Sequence, residues 1–239
     1  MKPRLEHRWD LTPQGAARLQ LELRSRLKAT RDLDQVRTVA GADIALDKAA
    51  GVGFAGVIVY SFPALVEVER QSAQRQLTFP YVPGLLVFRE GPVLLDALAK
   101  LRTDPDLIFF DAHGYSHPRR FGLASHLGVI LDAPAVGCAK SLLVGRYEEP
   151  GNAPGAWAPL VDGEETIGAV LRTRADVQPV FISVGHRVDL PTAIELALAC
   201  TDGRRIPKPT READHYVEQL KRGELRGPAQ PGTQSGFSF

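Results

Sequence analysis

The chain has 239 residues, enough for one α/β domain, or at most two, with a sizeable core. Hydrophobic residues make up 44% and charged residues 24%, an ordinary soluble balance, and the net charge of +1 excludes a global polyelectrolyte while leaving room for a local basic groove. Cys138 and Cys200 lack metal-ligand spacing, MKPRLEHRWD lacks the apolar core of a signal peptide, and no run reaches membrane-spanning length, so the expectation is a cytoplasmic protein with no membrane partner.

In chain order, LTPQGAARLQLELRSRLKATR predicts a surface helix, with Thr12 as its cap and Pro13 in the first turn. Ala16, Leu19, Leu23 and Leu27 form its apolar stripe, and the basic residues form a solvated face. Three strands follow at 37–46, 53–60 and 64–72, rich in β-branched residues and joined by short turns, which implies an antiparallel meander. PYVPG is a stiff turn, and a helix is expected to start near Gly91-Pro92. In DPDLIFFDAHG the unbroken run Leu107–Phe110 reads as a strand buried on both faces and closed by Asp111. FGLASHLGVIL reads as a helix, APAVGCAKSLL as a short buried strand and turn, and GRYEEPGNAPGA as a loop. A hairpin turning near Asp162-Gly163, a strand in VQPVFISVGH, and helices from Asp189 to Cys200 and from about Thr210 complete the pattern. Residues 1–222 are read as one domain and 223–239, rich in Gly, Pro, Ser and Gln, as a disordered tail. A meander followed by strands alternating with helices predicts an α/β fold, a ribonuclease H-like mixed sheet flanked by helices.

A carboxylate at the mouth of a buried strand is costly unless its charge is compensated. Asp43 lies in the first strand of the meander and Asp111 ends a later one. If those strands are neighbours, the two acids repel unless a cation sits between them, and oxygen-only ligands suit Mg²⁺ or Mn²⁺. The plain alternative gives each acid its own hydrogen bond or salt bridge. Glu90, placed just before a helix start, is explained equally by capping and by metal binding. In PTREADHYVEQL the stripe Ala213, Tyr216, Val217 and Leu220 leaves Asp214 on its flank and turns His215 to water. Lys140 could reach a phosphate or a water, or be an ordinary surface lysine. His117, Arg119 and Arg120 would suit a phosphodiester backbone beside a metal. Tyr81, held between Pro80 and Pro83, is either a wedge that unstacks bases or a ring packed over a core edge.

PYVPG…FRE, DAHG…HPRRFGLASHLG, GCAKSLL and PTREAD, in this order, resemble the signature blocks of the endonuclease V family, across roughly residues 10–222. The resemblance implies a Mg²⁺-dependent DNA repair endonuclease, with Mn²⁺ as a substitute ion, and the expected state is a monomer. It would nick the second phosphodiester bond 3′ to deoxyinosine and leave 5′-phosphate and 3′-hydroxyl ends. The alternative is a ribonuclease H-like nuclease acting mainly on inosine-containing RNA or on flap or branched DNA. By the same resemblance Asp43, Glu90, Asp111 and Asp214 are metal-binding and, with Lys140, catalytic. Tyr81, Val82, Pro83, Gly84, His117 and Arg119 are DNA-binding, and the backbone of Gly84, Ala112, Gly114 and Gly137 lines the base pocket. Ala112 departs from the glycine common in the family and would add a methyl beside that pocket.

Overall fold

The computed structural model describes residues 1–225; the expected disordered tail lies, from residue 226 on, outside them. Eight strands form one mixed sheet in the order β3-β2-β1-β4-β5-β8-β7-β6. The meander is β1 (Thr38–Asp47), β2 (Val52–Ser61) and β3 (Glu67–Gln76), antiparallel throughout. β4 (Leu107–Phe110) runs parallel to β1 and to β5 (Ala135–Ala139). β8 (Val180–His186) returns antiparallel to β5, and the hairpin β6 (Trp157–Asp162) and β7 (Glu165–Leu171) closes the far edge. Gly163 makes the hairpin turn with a φ of +65°.

Alternation along the central strands sorts the core into two layers. Ala40, Ala42, Ile108 and Phe110 face the layer of α2 (Leu86–Leu98) and α3 (Leu123–Leu131), where α1 (Pro13–Leu23) also packs. Val39, Leu107 and Phe109 face the layer of α4 (Leu190–Ala199) and α5 (Lys208–Lys221). β4 is fully buried on both faces, as its unbroken apolar run requires.

Two expectations need correction. Helix α2 begins at Leu86, not at Gly91-Pro92, and Pro92 lies in its interior. The proline removes the N–H that would bond the Phe88 carbonyl, yet Val87, Phe88, Val93, Leu94, Ala97 and Leu98 are all buried, and that packing outweighs one lost bond. Glu90 is therefore a mid-helix residue and caps nothing. In α1 the Thr12 Oγ accepts from the Gly15 N–H at 3.2 Å, as a cap should. Its fully buried residues, however, are Ala16, Gln20 and Leu23, so a buried amide joins the stripe beside a half-buried Leu19.

Helix α5 is brought against the sheet by a glycine. A Cβ at Gly41 would fall 1.9 Å from the Pro209 carbonyl oxygen, so only glycine lets the start of α5 touch β1. That contact fixes which face of α5 looks along β1 towards its carboxylates.

Candidate active site

β1 and β4 pair in parallel up to Ala42 and Phe110, and the Asp111 N–H donates to the Ala42 carbonyl at 3.2 Å. The next residues in register are Asp43 and Asp111. Both continue the alternation of Val39 and Phe109, so they emerge on the α5 side of the sheet. Asp214 comes from α5, half-buried on the flank of its stripe, while His215 is exposed. One carboxylate oxygen from each of Asp43, Asp111 and Asp214 lies within 4.8 Å of the others.

The electrostatics of this group are those of crowded acids. Withdrawal from water, then repulsion from Asp111, pushes the Asp43 carboxyl well above its ordinary value, although the Ile44 N–H donates to it at 2.7 Å. Desolvation raises Asp111 too, against the pull of Lys140. The two carboxyls therefore titrate as a pair, each resisting ionisation while the other is charged. Lys140, one residue beyond β5, places its Nζ 2.5 Å from Asp111 Oδ2 and 3.2 Å from Asp214 Oδ1. Desolvation disfavours its charge, but Asp111, Asp43 and Asp214 overcome this and hold it as an ammonium.

Glu90 approaches from the opposite layer. It is 7% exposed and outside the group of three. Burial, joined by repulsion from Asp111 and opposed by Arg89, pushes it up to about 8. The donor set is all oxygen and carries more negative charge than one lysine balances, which fits a hard divalent cation. Raised carboxyl pKa values are what such crowding produces without one.

Beside the carboxylates is a cavity of about 350 Å³, with Asp111 and Lys140 on its wall. Tyr81, 70% exposed, stands at its rim with Val82 and Pro83, and Gly84 and Ala112 line it. Gly114 and Gly137 stand behind that wall, where a Cβ on Gly137 would meet Gly114 N at 2.5 Å. The Gly114 N–H donates to Ser183 Oγ and its carbonyl accepts from Gly122 N–H, both at 2.9 Å, so these groups face inward. His117 is buried; its Nε2–H donates to the Gly84 carbonyl at 3.0 Å and its Nδ1 accepts from the Arg119 N–H at 3.1 Å. Burial brings it down to about 4, a neutral ring with both nitrogens committed. Arg119 donates from Nη2 to the same carbonyl at 2.5 Å, and Arg120 is tied to Asp162 and Glu165 at 2.8 and 2.7 Å. These three side chains first build the loop walls.

Two lining residues escape sequence reading. His113 has its Nε2–H on the Ser141 carbonyl at 3.0 Å and its Nδ1 on Ser116 Oγ at 2.8 Å, and burial takes it down to about 4. It stands inside DAHG, two residues past Asp111, where only its neighbours single it out. Gln20 looks like a surface residue between leucines. A larger groove of about 940 Å³ lies at the other end of the strands; of its acids, Asp104 pairs with the N-terminus and Asp32 and Asp132 with Arg187.

A profile of the Endonuclease V family matches residues 21–215. The Endonuclease V of Roseiflexus castenholzii is 46% identical over 219 residues, 92% of this chain and 98% of its own. The crystal structure of the Endonuclease V of Streptomyces avermitilis superposes with a TM-score of 0.87 at 42% identity, over 94% of this chain and all of the other. That of Ciona intestinalis Endonuclease V, in complex with a 24mer DNA containing an inosine followed by a ribo-adenosine, gives a TM-score of 0.78 at 27% identity, over 87% and 97% of the two chains. With its sequence and its fold both matching over most of its length, this chain belongs to the endonuclease V family.

Proposed function

We propose that this protein is a Mg²⁺-dependent repair endonuclease of the reducing cytoplasm. It acts as a monomer and nicks DNA at the second phosphodiester bond 3′ to deoxyinosine, leaving 5′-phosphate and 3′-hydroxyl ends. The observation that carries the reading is the meeting of Asp43, Asp111 and Asp214 within 4.8 Å, beside a cavity under an exposed tyrosine.

Asp43, Asp111 and Asp214 would hold the cation, with Glu90 reaching it from the other layer, and Mn²⁺ would substitute for Mg²⁺. When bound, the cation supplies charge stabilisation to the scissile phosphate and lowers the pKa of a water. The side chains do the rest. Lys140, held as an ammonium, orients a phosphate oxygen or the attacking water and is no proton acceptor in this state. Tyr81 enters the stack as the damaged base leaves it, at a cost of a few kcal/mol that is least at a weakened pair. The cavity receives that base. Hypoxanthine offers an N1–H donor and an O6 acceptor where adenine offers the reverse, so backbone groups at Gly84 and Ala112 would reject adenine by leaving polar atoms unpaired. His117 and Arg119 would serve DNA through the loop they brace.

One oligonucleotide tests this. A duplex with a single deoxyinosine is incubated with and without Mg²⁺, and the cut is mapped. Cleavage at the second bond 3′ to the lesion, only with the ion, is expected; an intact strand refutes the reading. The ribo-adenosine after the inosine in the Ciona complex favours inosine RNA as the second substrate to run beside it. Faster cleavage of RNA would make the chain a ribonuclease.

A further inference from the structure

Gln20 is 1% exposed and sits in the middle of the apolar stripe of α1, where a leucine would pack without penalty. A buried amide is tolerated when both ends are bonded. Its Nε2 donates to the Phe121 carbonyl at 3.1 Å, and its Oε1 accepts from Arg119 Nε at 2.7 Å. The two bonds fix which end of the amide faces the guanidinium. Arg119 then donates to the Gly84 carbonyl at 2.5 Å, beside the 3.0 Å bond from His117. Gly84 has a φ of +78°, and a Cβ there would stand 2.8 Å from Arg119 Nη2, so the loop can take this double pin only with glycine. Gly84 ends the short loop that carries Tyr81, Val82 and Pro83 at the cavity rim.

From this chain of contacts we infer that Gln20 is a positioning residue: through Arg119 it holds the Gly84 carbonyl, and so sets the pose of Tyr81 at the rim of the cavity. The inference rests on the proposed function for its catalytic readout, because what the loop admits is an extruded base. The apolar helix α1 thereby becomes part of the specificity apparatus, although none of its residues reaches the carboxylates. Removing the amide oxygen leaves Arg119 Nε without its partner and lets the guanidinium swing from Gly84.

The test compares Gln20→Leu and Gln20→Glu with wild type on inosine in a paired duplex and in a single strand. Extrusion and wedging matter only in the duplex. Gln20→Leu is expected to lower kcat/KM on the duplex about tenfold, through KM, and to change the single-strand value little, in keeping with a hydrogen bond to a charged group. Gln20→Glu keeps an acceptor for Arg119 and retains most of the duplex preference. Equal losses on both substrates, or no loss, overturn the inference. Hydrogen exchange gives a readout independent of catalysis. Amides of residues 81, 82, 84 and 85 should exchange faster in Gln20→Leu, while those of β4 stay protected; unchanged exchange in that loop overturns the inference even if wild type cuts neither strand, which would instead sink the proposed function. Should Gln20→Leu fail to fold, Gln20→Met is measured in its place.

Discussion

Asp43 and Asp111 are in register on neighbouring parallel strands, and the Lys140 ammonium, 2.5 Å from Asp111, offsets only part of their repulsion. A residue kept for function should therefore weaken the resting fold. Asp111→Asn removes a charge that Asp43 and Asp214 repel; it is expected to raise stability at pH 8 in chelator by about 1–2 kcal/mol and to cut cleavage on the order of a hundred- to thousandfold. Thermal unfolding in chelator and single-turnover cleavage check the two halves. Tyr81 is free of the core and so is cheap to remove: Tyr81→Ala should leave the unfolding midpoint unchanged and weaken binding to inosine duplex more than to single strands, read by titration of labelled DNA. Equal losses would return Tyr81 to the role of a surface ring. Asp111 is legible because an apolar run that stops at an acid has few explanations, and Asp43 follows from it only if its strand is the neighbour. Gln20 was not, because an amide among leucines on a helix looks exposed until its partners, 99 and 101 positions away, are in place.

Among the elements, the meander, the hairpin and the fully buried β4 follow from alternation and from the lengths of their turns. The start of α2 does not. Pro92 carries a signal for a first helical turn, and no local pattern shows that tertiary burial carries the helix through it. The misplaced start leaves a cap as one of two readings of Glu90, whereas the apolar stripe of α5 puts Asp214 on its flank, where the structure has it. What the periodicity could not give is how closely α5 approaches β1, which depends on Gly41. Gly41→Ala puts a methyl inside the Pro209 carbonyl and must push the helix away. The expected cost is about 2–3 kcal/mol in chemical denaturation, with weaker binding of the cation because Asp214 retreats from Asp43. A Gly41→Ala protein with normal cation affinity would show that α5 is not what brings Asp214 to the site.

For the molecule as a whole, the raised carboxyl groups link folding, pH and cation. Glu90 binds its proton more tightly folded, at about 8, than its ordinary 4.5, and Asp43 and Asp111 are shifted the same way. Their contribution to stability is therefore full below the unfolded values and is lost as pH rises through the folded ones. Cation-free protein should lose stability from about pH 5 to pH 8, by an amount on the order of a few kcal/mol, and a divalent ion should restore it. Stability in chelator that is flat over that range would contradict the crowding of these acids. Because the ligands must shed protons to hold a cation, binding and proton release are one event. The most direct measurement is a calorimetric titration of Mn²⁺ and Mg²⁺ into the protein at pH 7 in two buffers of different ionisation enthalpy, repeated with Asp43→Asn/Asp111→Asn. Saturable binding with proton release in the wild type, absent from the double variant, is the predicted result. Equal binding by both proteins, or none by the wild type, would mean that these carboxylates do not hold the ion.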